Sequence, residues 1–292
     1  DEMLFKIHFG FKLNKYFDFP FKSIWDRKCI LKALTDINFL NEVNILLVND
    51  VIRKLSPKLL KKLINKSHIH MYLLLLDSYD KMQPYFRRCV SKVDKEFIYS
   101  FQLSDCKKYG FLYSEENYSK IELSEQYPII QDVYFVGADK GRIEDIYNVY
   151  TALSGQGLKC KFEVIVDRNK TDEYSRKYPG LLLYTKRIEY RDVLKNVMQS
   201  KAILELVQEG QDGMTMRFYE AVFYDKLLIT NNVNACNHKL FRKEYMTVFD
   251  KTKSLDNIKD RFSIEVSYNY NGEVSPVHLV ERIKRNNGVD SR

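Results

Sequence analysis

The chain has 292 residues, enough for two domains of ordinary size, and its 45% hydrophobic and 29% charged residues exclude wholesale disorder. The net charge of +8 favours anionic partners such as nucleic acid, acidic lipid or phosphorylated small molecules, but no recognised nucleic-acid motif accompanies it. The longest strongly apolar run, Met71–Leu76, is too short for a transmembrane helix, and the N-terminus as given has no signal-peptide pattern. The five scattered cysteines and five histidines form no disulfide framework or zinc pattern, so we expect reduced thiols and a cytoplasmic protein.

The first half of the chain alternates predicted strands with predicted helices. Short apolar runs predict strands at Leu4–Gly10, Val43–Asn49, His70–Leu76 and Phe97–Phe101. Helical spacing of apolar residues, with serine caps at some starts, predicts helices at Ile24–Thr35, Pro57–Lys66, Lys81–Val90 and Ser104–Tyr109. This alternation is typical of an open parallel sheet with helices on both faces. The polar stretch Glu115–Tyr127 ends it, so we predict an N-terminal Rossmann-like domain at residues 1–127.

A second alternating series follows Pro128. Predicted strands lie at Ile130–Val136, Cys160–Val166, Leu181–Tyr184, Ile203–Val207 and Leu227–Thr230. Predicted helices lie at Ile143–Gly155, Arg191–Ser200 and Thr215–Lys226. The series predicts a second Rossmann-like domain at residues 128–255, and the fold class is therefore α/β. A tail at residues 256–292 follows, with a helix, Pro276–Lys284, that we expect to pack back on the domains.

A glycine-rich turn follows the first strand of this second series. Gly137, Lys140, Gly141 and Arg142 stand just before the helix. Such a turn lets the backbone approach a phosphate, and the lysine and arginine supply positive charge. The pattern is neither a Walker loop nor a complete GxGxxG fingerprint. The alternative interpretation is a capped turn with a surface lysine and arginine.

A second phosphate signal lies between two later strands of the same series. The loop that follows ILELV brings Gly213 and Thr215 to a helix N-terminus, where free N–H groups and the helix dipole favour an anion. Arg217 adds a fork of donors suited to phosphate oxygens, and Glu220, three residues further on, suits a ribose diol. The alternative is an ordinary packed crossover with a solvated loop. Because both signals follow strands of one parallel sheet, they share its carboxyl edge and together predict a sugar–diphosphate site.

Two successive Rossmann-like domains, with nucleotide signals confined to the second, resemble the GT-B fold of glycosyltransferases. The specific resemblance is to bacterial enzymes that assemble capsular polysaccharide and lipopolysaccharide. It rests on Phe135–Arg142 (FVGADKGR), on Gln208–Asn232 (QEGQDGMTMRFYEAVFYDKLLITNN) and, more weakly, on Phe97–Phe111, in the family's order. The resemblance implies two domains facing each other across a cleft, the C-terminal one for the nucleotide diphosphate and the N-terminal one for the acceptor.

The resemblance also implies roles for individual residues. The first glycine-rich turn and its basic residue reach the phosphates in such enzymes, which here implies Gly137, Lys140 and Arg142. The glutamate of the later helix binds the ribose, which implies Glu220. Many retaining members carry a second glutamate, but the corresponding position here is Asp212, so retention or inversion of the anomeric configuration stays open.

The activity implied by the resemblance is metal-independent transfer of a sugar from a nucleotide-diphosphate sugar, with no further cofactor, in bacterial surface polysaccharide synthesis. The implied acceptor is a saccharide, lipid-linked, at the inner face of the cell membrane. Basic, aromatic segments such as Lys12–Lys22 and Lys81–Arg88 would favour a peripheral association with anionic lipid.

An inverting enzyme would also need a general base in the N-terminal domain. Asp77, at the end of a predicted strand, is our candidate, and Asp50 and His8 are others. One alternative is a non-catalytic nucleotide- or polysaccharide-binding protein on the same scaffold. A nucleic-acid-binding protein is favoured by charge alone, and we expect no nucleic-acid partner.

Overall fold

The computed structural model describes residues 43–48, 61, 64–65, 69–115, 118–123, 125–250 and 255–286. The chain forms two compact units, the first combining Asp1–Asn117 with Val277–Arg292 and the second comprising Tyr118–Pro276. The predicted strand at Leu4–Gly10 and helix at Ile24–Thr35 lie outside the described residues, as does most of the predicted helix at Pro57–Lys66.

Among the described residues of the first unit, four parallel strands form a sheet in the order β1-β2-β3-β4. The strands are β1 (Val43–Val48), β2 (Ile69–Leu75), β3 (Ile98–Ser100) and β4 (Leu112–Tyr113). Two helices follow strands of this sheet, α1 (Pro84–Val90) and α2 (Leu103–Tyr109). The alternation predicted from the sequence is therefore confirmed for the described part of this unit.

Strand β2 is at the centre of the first unit's core because apolar side chains leave both of its faces. Leu73 and Leu75 are fully buried and belong to the same cluster as Phe86 of α1. On the other face, Tyr72 and Leu74 are packed with Tyr99 of β3. A strand buried on both faces is typical of a parallel sheet and explains the continuous apolar run MYLLLL.

The second unit contains six parallel strands in the order β10-β9-β8-β5-β6-β7. The strands are β5 (Gln131–Ala138), β6 (Cys160–Ile165), β7 (Leu182–Tyr184), β8 (Ser200–Glu205), β9 (Leu227–Thr230) and β10 (Met246–Val248). The helices are α3 (Ile143–Ser154), α4 (Thr171–Lys177), α5 (Tyr190–Met198) and α6 (Met216–Phe223). This is a Rossmann-like sheet whose strand order reverses between β5 and β8, the place where such folds bind ligands.

A further helix, α7 (Pro276–Asn286), lies at the C-terminal end of the described residues. Leu279 and Ile283 of α7 are buried in the cluster of Tyr72 and Leu74, so this helix is packed on the first unit's sheet. Short 3-10 segments occur at Tyr79–Lys81, Lys95–Phe97, Arg168–Lys170, Val233–Asn237 and Ile258–Ser263.

Alternate residues of β5 face two separate cores in the second unit. Val133 and Phe135 lie in the cluster that includes Ile146 of α3, while Tyr134 lies in the cluster that includes Phe218 of α6. The period of two follows from the geometry of a strand. Gly137 continues the Phe135 face to the end of β5, where the sheet meets the predicted site.

Several element boundaries differ from the sequence prediction. Helix α6 has eight residues rather than twelve, because Tyr224 leaves the helical conformation and Asp225 has a positive φ of 50°. The predicted serine cap of α2 was wrong, since the helix begins at Leu103 and Ser104 lies inside it. Three short elements were not predicted from the sequence: β4, α4 and β10, which have two, seven and three residues.

The units divide after Asn117, ten residues before the boundary drawn from the sequence. The segment that follows is attached to α6 of the second unit. The rings of Tyr118 and Tyr219 lie 4.7 Å apart, and the Tyr224 hydroxyl is 3.0 Å from both the backbone N and the backbone O of Ile121. Polar composition thus marked the end of regular structure but not the unit to which the segment belongs.

Candidate functional site

Two strand-to-helix connections meet at the carboxyl edge of the second unit's sheet. The first connection, residues 139–142, joins β5 to α3, and the second connection, residues 206–215, joins β8 to α6. Strands β5 and β8 are hydrogen-bonded neighbours, so the two connections leave adjacent strand ends. The guanidinium of Arg142 donates to the backbone carbonyl of Leu206 and joins one connection to the other. The eight residues predicted to bind a nucleotide sugar therefore lie at one edge of one sheet.

The first connection is a tight turn closed by its own aspartate. Lys140 and Gly141 have φ of 47° and 79°, as in a type I′ turn, and the Arg142 N–H donates to the Asp139 carbonyl at 3.0 Å. The Asp139 carboxylate accepts from the N–H groups of Arg142 (3.1 Å) and Ile143 (2.9 Å) and so caps α3. The turn leaves Lys140 and Gly141 exposed at the sheet edge.

Arg142 lies across the end of β5 and is partly buried. Its Nε and Nη2 both lie 3.4 Å from the Ala138 carbonyl, and its Nη1 bonds Leu206. A Cβ at Gly137 would stand 2.9 Å from the Phe135 ring and 3.3 Å from Arg142 Nη2. Position 137 therefore needs glycine because the arginine and the ring close over it.

The second connection is built around a buried carboxylate that the sequence patterns did not identify as important. Glu205, the last residue of β8, is 1% exposed. Its Oε1 accepts from the Thr215 hydroxyl (2.5 Å) and backbone N–H (3.2 Å), and its Oε2 accepts from the Thr230 hydroxyl (2.5 Å). Burial raises the pKa of Glu205, and the hydrogen bonds from Thr215 and Thr230 lower it. A carboxyl group of the protein itself thus occupies the start of α6.

Thr215 is the N-cap of α6, as its position before the helix implies. Its hydroxyl accepts from the Arg217 N–H at 3.1 Å while donating to Glu205. Two asparagines from the end of β9 hold the rest of the second connection. Asn231 bonds the backbone N–H and carbonyl of Val207 (2.7 and 3.3 Å), and Asn232 donates to the carbonyl of buried Gly213 (3.3 Å). The sequence signal for Glu205, Asn231 and Asn232 was a polar residue at or just after the end of an apolar strand, as in ILELV and LITNN.

Arg217 and Glu220 form an ion pair on one face of α6. The pair joins Arg217 Nη1 to Glu220 Oε2, with side chains 16% and 2% exposed. Arg217 Nη1 and both carboxylate oxygens of Glu220 are buried, and within the described part of the chain none of them completes a hydrogen bond of normal geometry. Burial raises the pKa of Glu220 to about 7, against the opposing effects of Arg217 and of the nearby Tyr190 hydroxyl.

Tyr190 connects this pair to the surface. It is the first residue of α5 and is 37% exposed as a whole. Its pKa is raised by burial of the hydroxyl and by the charge of Glu220. The ring is therefore partly open to solvent while its hydroxyl lies beside a buried carboxyl.

The remaining candidates lie elsewhere. Asp77 follows β2 in the first unit and is exposed, while Asp50 and His8 lie outside the described residues. Near Asp77, buried Asp105 accepts from the Tyr79 N–H (2.9 Å) and the Ser100 hydroxyl (3.1 Å) and so holds the loop that follows β2. Among the residues with described positions, no three His, Cys, Asp or Glu side chains group as metal ligands. Over the same residues, no helix has the length and apolarity needed to span a membrane.

Two successive Rossmann-like units, with this strand-order reversal in the second, define the GT-B fold. Solved structures agree with this class. TarM superimposes with a TM-score of 0.56 at 10% identity over 90% of this chain, which spans 58% of the TarM chain. AviGT4, a glycosyltransferase involved in avilamycin A biosynthesis, superimposes with a TM-score of 0.52 at 10% identity over 79% of this chain and 76% of its own. No protein-family model and no curated protein matches the chain.

Proposed function

We propose that this protein is a glycosyltransferase that moves a sugar from a nucleotide-diphosphate sugar to a saccharide acceptor. The observation that carries the proposal is the buried Glu220 carboxylate of α6, which is paired with Arg217 but forms no hydrogen bond of normal geometry at either oxygen among the described residues. A buried acceptor without a well-formed hydrogen bond costs about 1–3 kcal/mol. Two such oxygens fit the two hydroxyls of a ribose, which is the role that the GT-B resemblance implies for Glu220.

The first connection is the proposed phosphate site. The exposed ammonium of Lys140 and the open backbone at Gly141 lie at the same sheet edge as the second connection. The guanidinium of Arg142 adds positive charge beneath the turn. Preorganised positive charge stabilises the diphosphate as it leaves the sugar, which lowers the barrier to transfer. Gly137 serves this site by giving room to Arg142.

The second connection offers a phosphate fewer hydrogen-bond donors than the sequence suggested. The N–H of Thr215 donates to Glu205, and Gly213 is buried beneath Asn232. Their proposed contribution is to fix the position of α6, which carries Glu220. This division assigns the phosphates to one connection and the ribose to the other.

The acceptor side of the reaction rests on the resemblance to enzymes of bacterial surface polysaccharide synthesis. We propose a lipid-linked saccharide acceptor, activated in the first unit, with Asp77 as candidate base. Exposed Lys81 and Arg88 beside α1 support peripheral contact with an anionic membrane surface from the cytoplasmic side. Failure to sediment with anionic vesicles at low salt would remove the membrane part and leave the transferase part standing.

Thermal unfolding with a panel of UDP, GDP, CMP, ADP and dTDP tests the donor site. A ligand that binds only the folded protein stabilises it by about 2.7 kcal/mol at a hundredfold excess over Kd. We expect stabilisation by one diphosphate, and hydrolysis of the matching nucleotide sugar with EDTA present, since the proposed reaction uses no metal. Stabilisation without hydrolysis or transfer, across acceptors, would favour the non-catalytic binding protein. No stabilisation by any member would contradict the proposal.

A further inference from the structure

We propose that Arg217 is a positioning residue that serves nucleotide binding through Glu220, by keeping that carboxylate charged, instead of through contact with the diphosphate. This inference rests on the proposed function, because it concerns how the ribose carboxylate is prepared. It changes the role of Arg217 from a phosphate ligand to the electrostatic partner of the ribose site.

Helix geometry sets Arg217 beside Glu220. The two residues are three apart on α6, which places them on neighbouring positions of one face, and their charged groups form the ion pair. The start of the helix is fixed by Thr215, whose hydroxyl accepts from the Arg217 backbone N–H at 3.1 Å. Thr215 is in turn held by Glu205. These partly buried hydrogen bonds therefore fix the start of the helix that brings the guanidinium to the carboxylate.

Arg217 is also the cation that acts on several buried groups of this region. It lowers the pKa of Glu220 and of Glu205, which are both raised by burial, and it lowers the raised pKa of Tyr134 and Tyr190. Two further groups interact with Glu220: Tyr190 at the start of α5 and Tyr224 just after α6. Neither of these groups carries a positive charge, so the ionised state of Glu220 depends on Arg217.

The charge state decides what the carboxylate can bind. An ionised carboxylate accepts hydrogen bonds at both oxygens, as a diol requires, whereas a protonated one presents a donor at one oxygen. Burial alone would hold Glu220 protonated at neutral pH. Arg217 opposes that effect, so removing its charge removes the diol acceptor without touching the ligand.

The second connection leaves little for Arg217 to do at the phosphates. A phosphate-binding arginine presents an unpaired fork of donors, but the Arg217 guanidinium is mostly buried and paired with Glu220. The start of α6 would have to bind the same phosphate group as Arg217, but its Thr215 N–H already donates to the Glu205 carboxylate. Exposed Lys140, in the first connection, provides the contrast because its ammonium lies at the open edge.

Comparison of a nucleoside with its diphosphate separates the two roles of Arg217. Binding of uridine and UDP, or of the pair selected by the panel, is measured by calorimetry at pH 7 and pH 9 for the wild type, Arg217→Ala and Arg217→Lys. We expect Arg217→Ala to weaken uridine and UDP by the same factor, about tenfold for each unit by which the Glu220 pKa rises. We expect the loss to shrink at pH 9, and Arg217→Lys to restore most of the affinity.

Matched variants make the outcome decisive. Lys140→Ala should show the opposite signature, with weaker UDP and unchanged uridine. If Arg217→Ala binds uridine like the wild type and loses only UDP, Arg217 contacts the phosphates and the inference is overturned. If Arg217→Ala does not fold, Arg217→Gln and Arg217→Lys are compared instead, and equal pH profiles for both would overturn it. A wild type that binds no nucleotide refutes the proposed function itself, which is a different result.

Discussion

The two connections at the carboxyl edge share one topology but use their helix starts differently. In the first connection, Asp139 caps α3 from within the turn, and Lys140 and Gly141 remain exposed. In the second connection, Glu205 reaches from the end of β8 and occupies the start of α6. Both follow parallel strands of one sheet, and both suggested a phosphate site from the sequence.

The difference shows that a helix N-terminus is available to a ligand only when the protein's own carboxylates leave it open. An aspartate within the turn caps the backbone but leaves the next residues free to face outward. A glutamate at the end of the preceding strand accepts the hydrogen bonds of the N-cap residue itself. The helix can then contact a ligand only through side chains from its later positions. On this ground we propose phosphate binding at the first connection and ribose binding at the second.

Removal of the buried carboxylate of the second connection should have the largest effect. Glu205→Ala leaves the Thr215 N–H and the Thr215 and Thr230 hydroxyls without their acceptor, so we expect a loss of about 3 kcal/mol in the free energy of unfolding. Urea denaturation measures it. Glu173→Ala, at an exposed glutamate of α4, is the control and should change stability little. A similar small loss for Glu205→Ala would mean that the second connection is not built on this carboxylate.

Removal of Glu220, the proposed ribose carboxylate, should have the next largest effect, which is on nucleotide binding. Glu220→Ala removes both proposed diol acceptors, and hydrogen bonds to a charged group contribute about 1.5–3 kcal/mol each. We therefore expect the nucleotide to lose about a hundredfold in affinity or more, measured by calorimetry on protein shown to be folded by circular dichroism. Unchanged affinity in a folded variant would place the ribose elsewhere.

The pH dependence of nucleoside binding should follow Glu220. Its pKa in the folded protein is raised to about 7, above the usual 4.5 of a glutamate. Because the ionised form binds the diol, affinity should fall about tenfold between pH 8 and pH 6.

The stability of the nucleotide-free protein should change with the opposite sign, since a raised carboxyl pKa stabilises the fold at low pH and this contribution is lost as pH rises through 7. Calorimetry and thermal unfolding across this range measure both effects, and Glu220→Gln should abolish the first.

A pair of glycine substitutions should produce the smallest effects and compares the connections directly. Gly141 and Gly210 have φ of 79° and 74°, and a Cβ at either position would meet nothing within 4 Å. Alanine at each should cost about 1–2 kcal/mol of stability from backbone strain alone. Only Gly141→Ala should also weaken diphosphate binding, because the proposed phosphate site lies at the first connection alone. Equal effects of both substitutions on UDP affinity would contradict this division.

The sequence by itself determined the alternating α/β elements and the sheet edge that carries the candidate site. Period-two and continuous apolar runs identify the strands of both sheets, since a buried strand of a parallel sheet needs apolar residues on both faces. Parallel strands share a carboxyl edge, so Lys140 and Glu220 could be assigned to one site before any contact was known. Short elements such as β4 and β10 escaped because two or three residues carry no measurable period.

Only the tertiary structure decided which polar groups remain for a ligand. Local spacing describes Thr215 and Arg217 as an anion-binding helix start, and the sequence does not show that Glu205 occupies the cap or that Glu220 pairs with Arg217. Strand register sets the position of Glu205 at the cap, and burial of both side chains sets the pairing of Arg217 with Glu220, for which the sequence shows only the helical spacing. The pattern of residue types determines where charged side chains cluster. Tertiary packing determines which of them already have a partner within the protein.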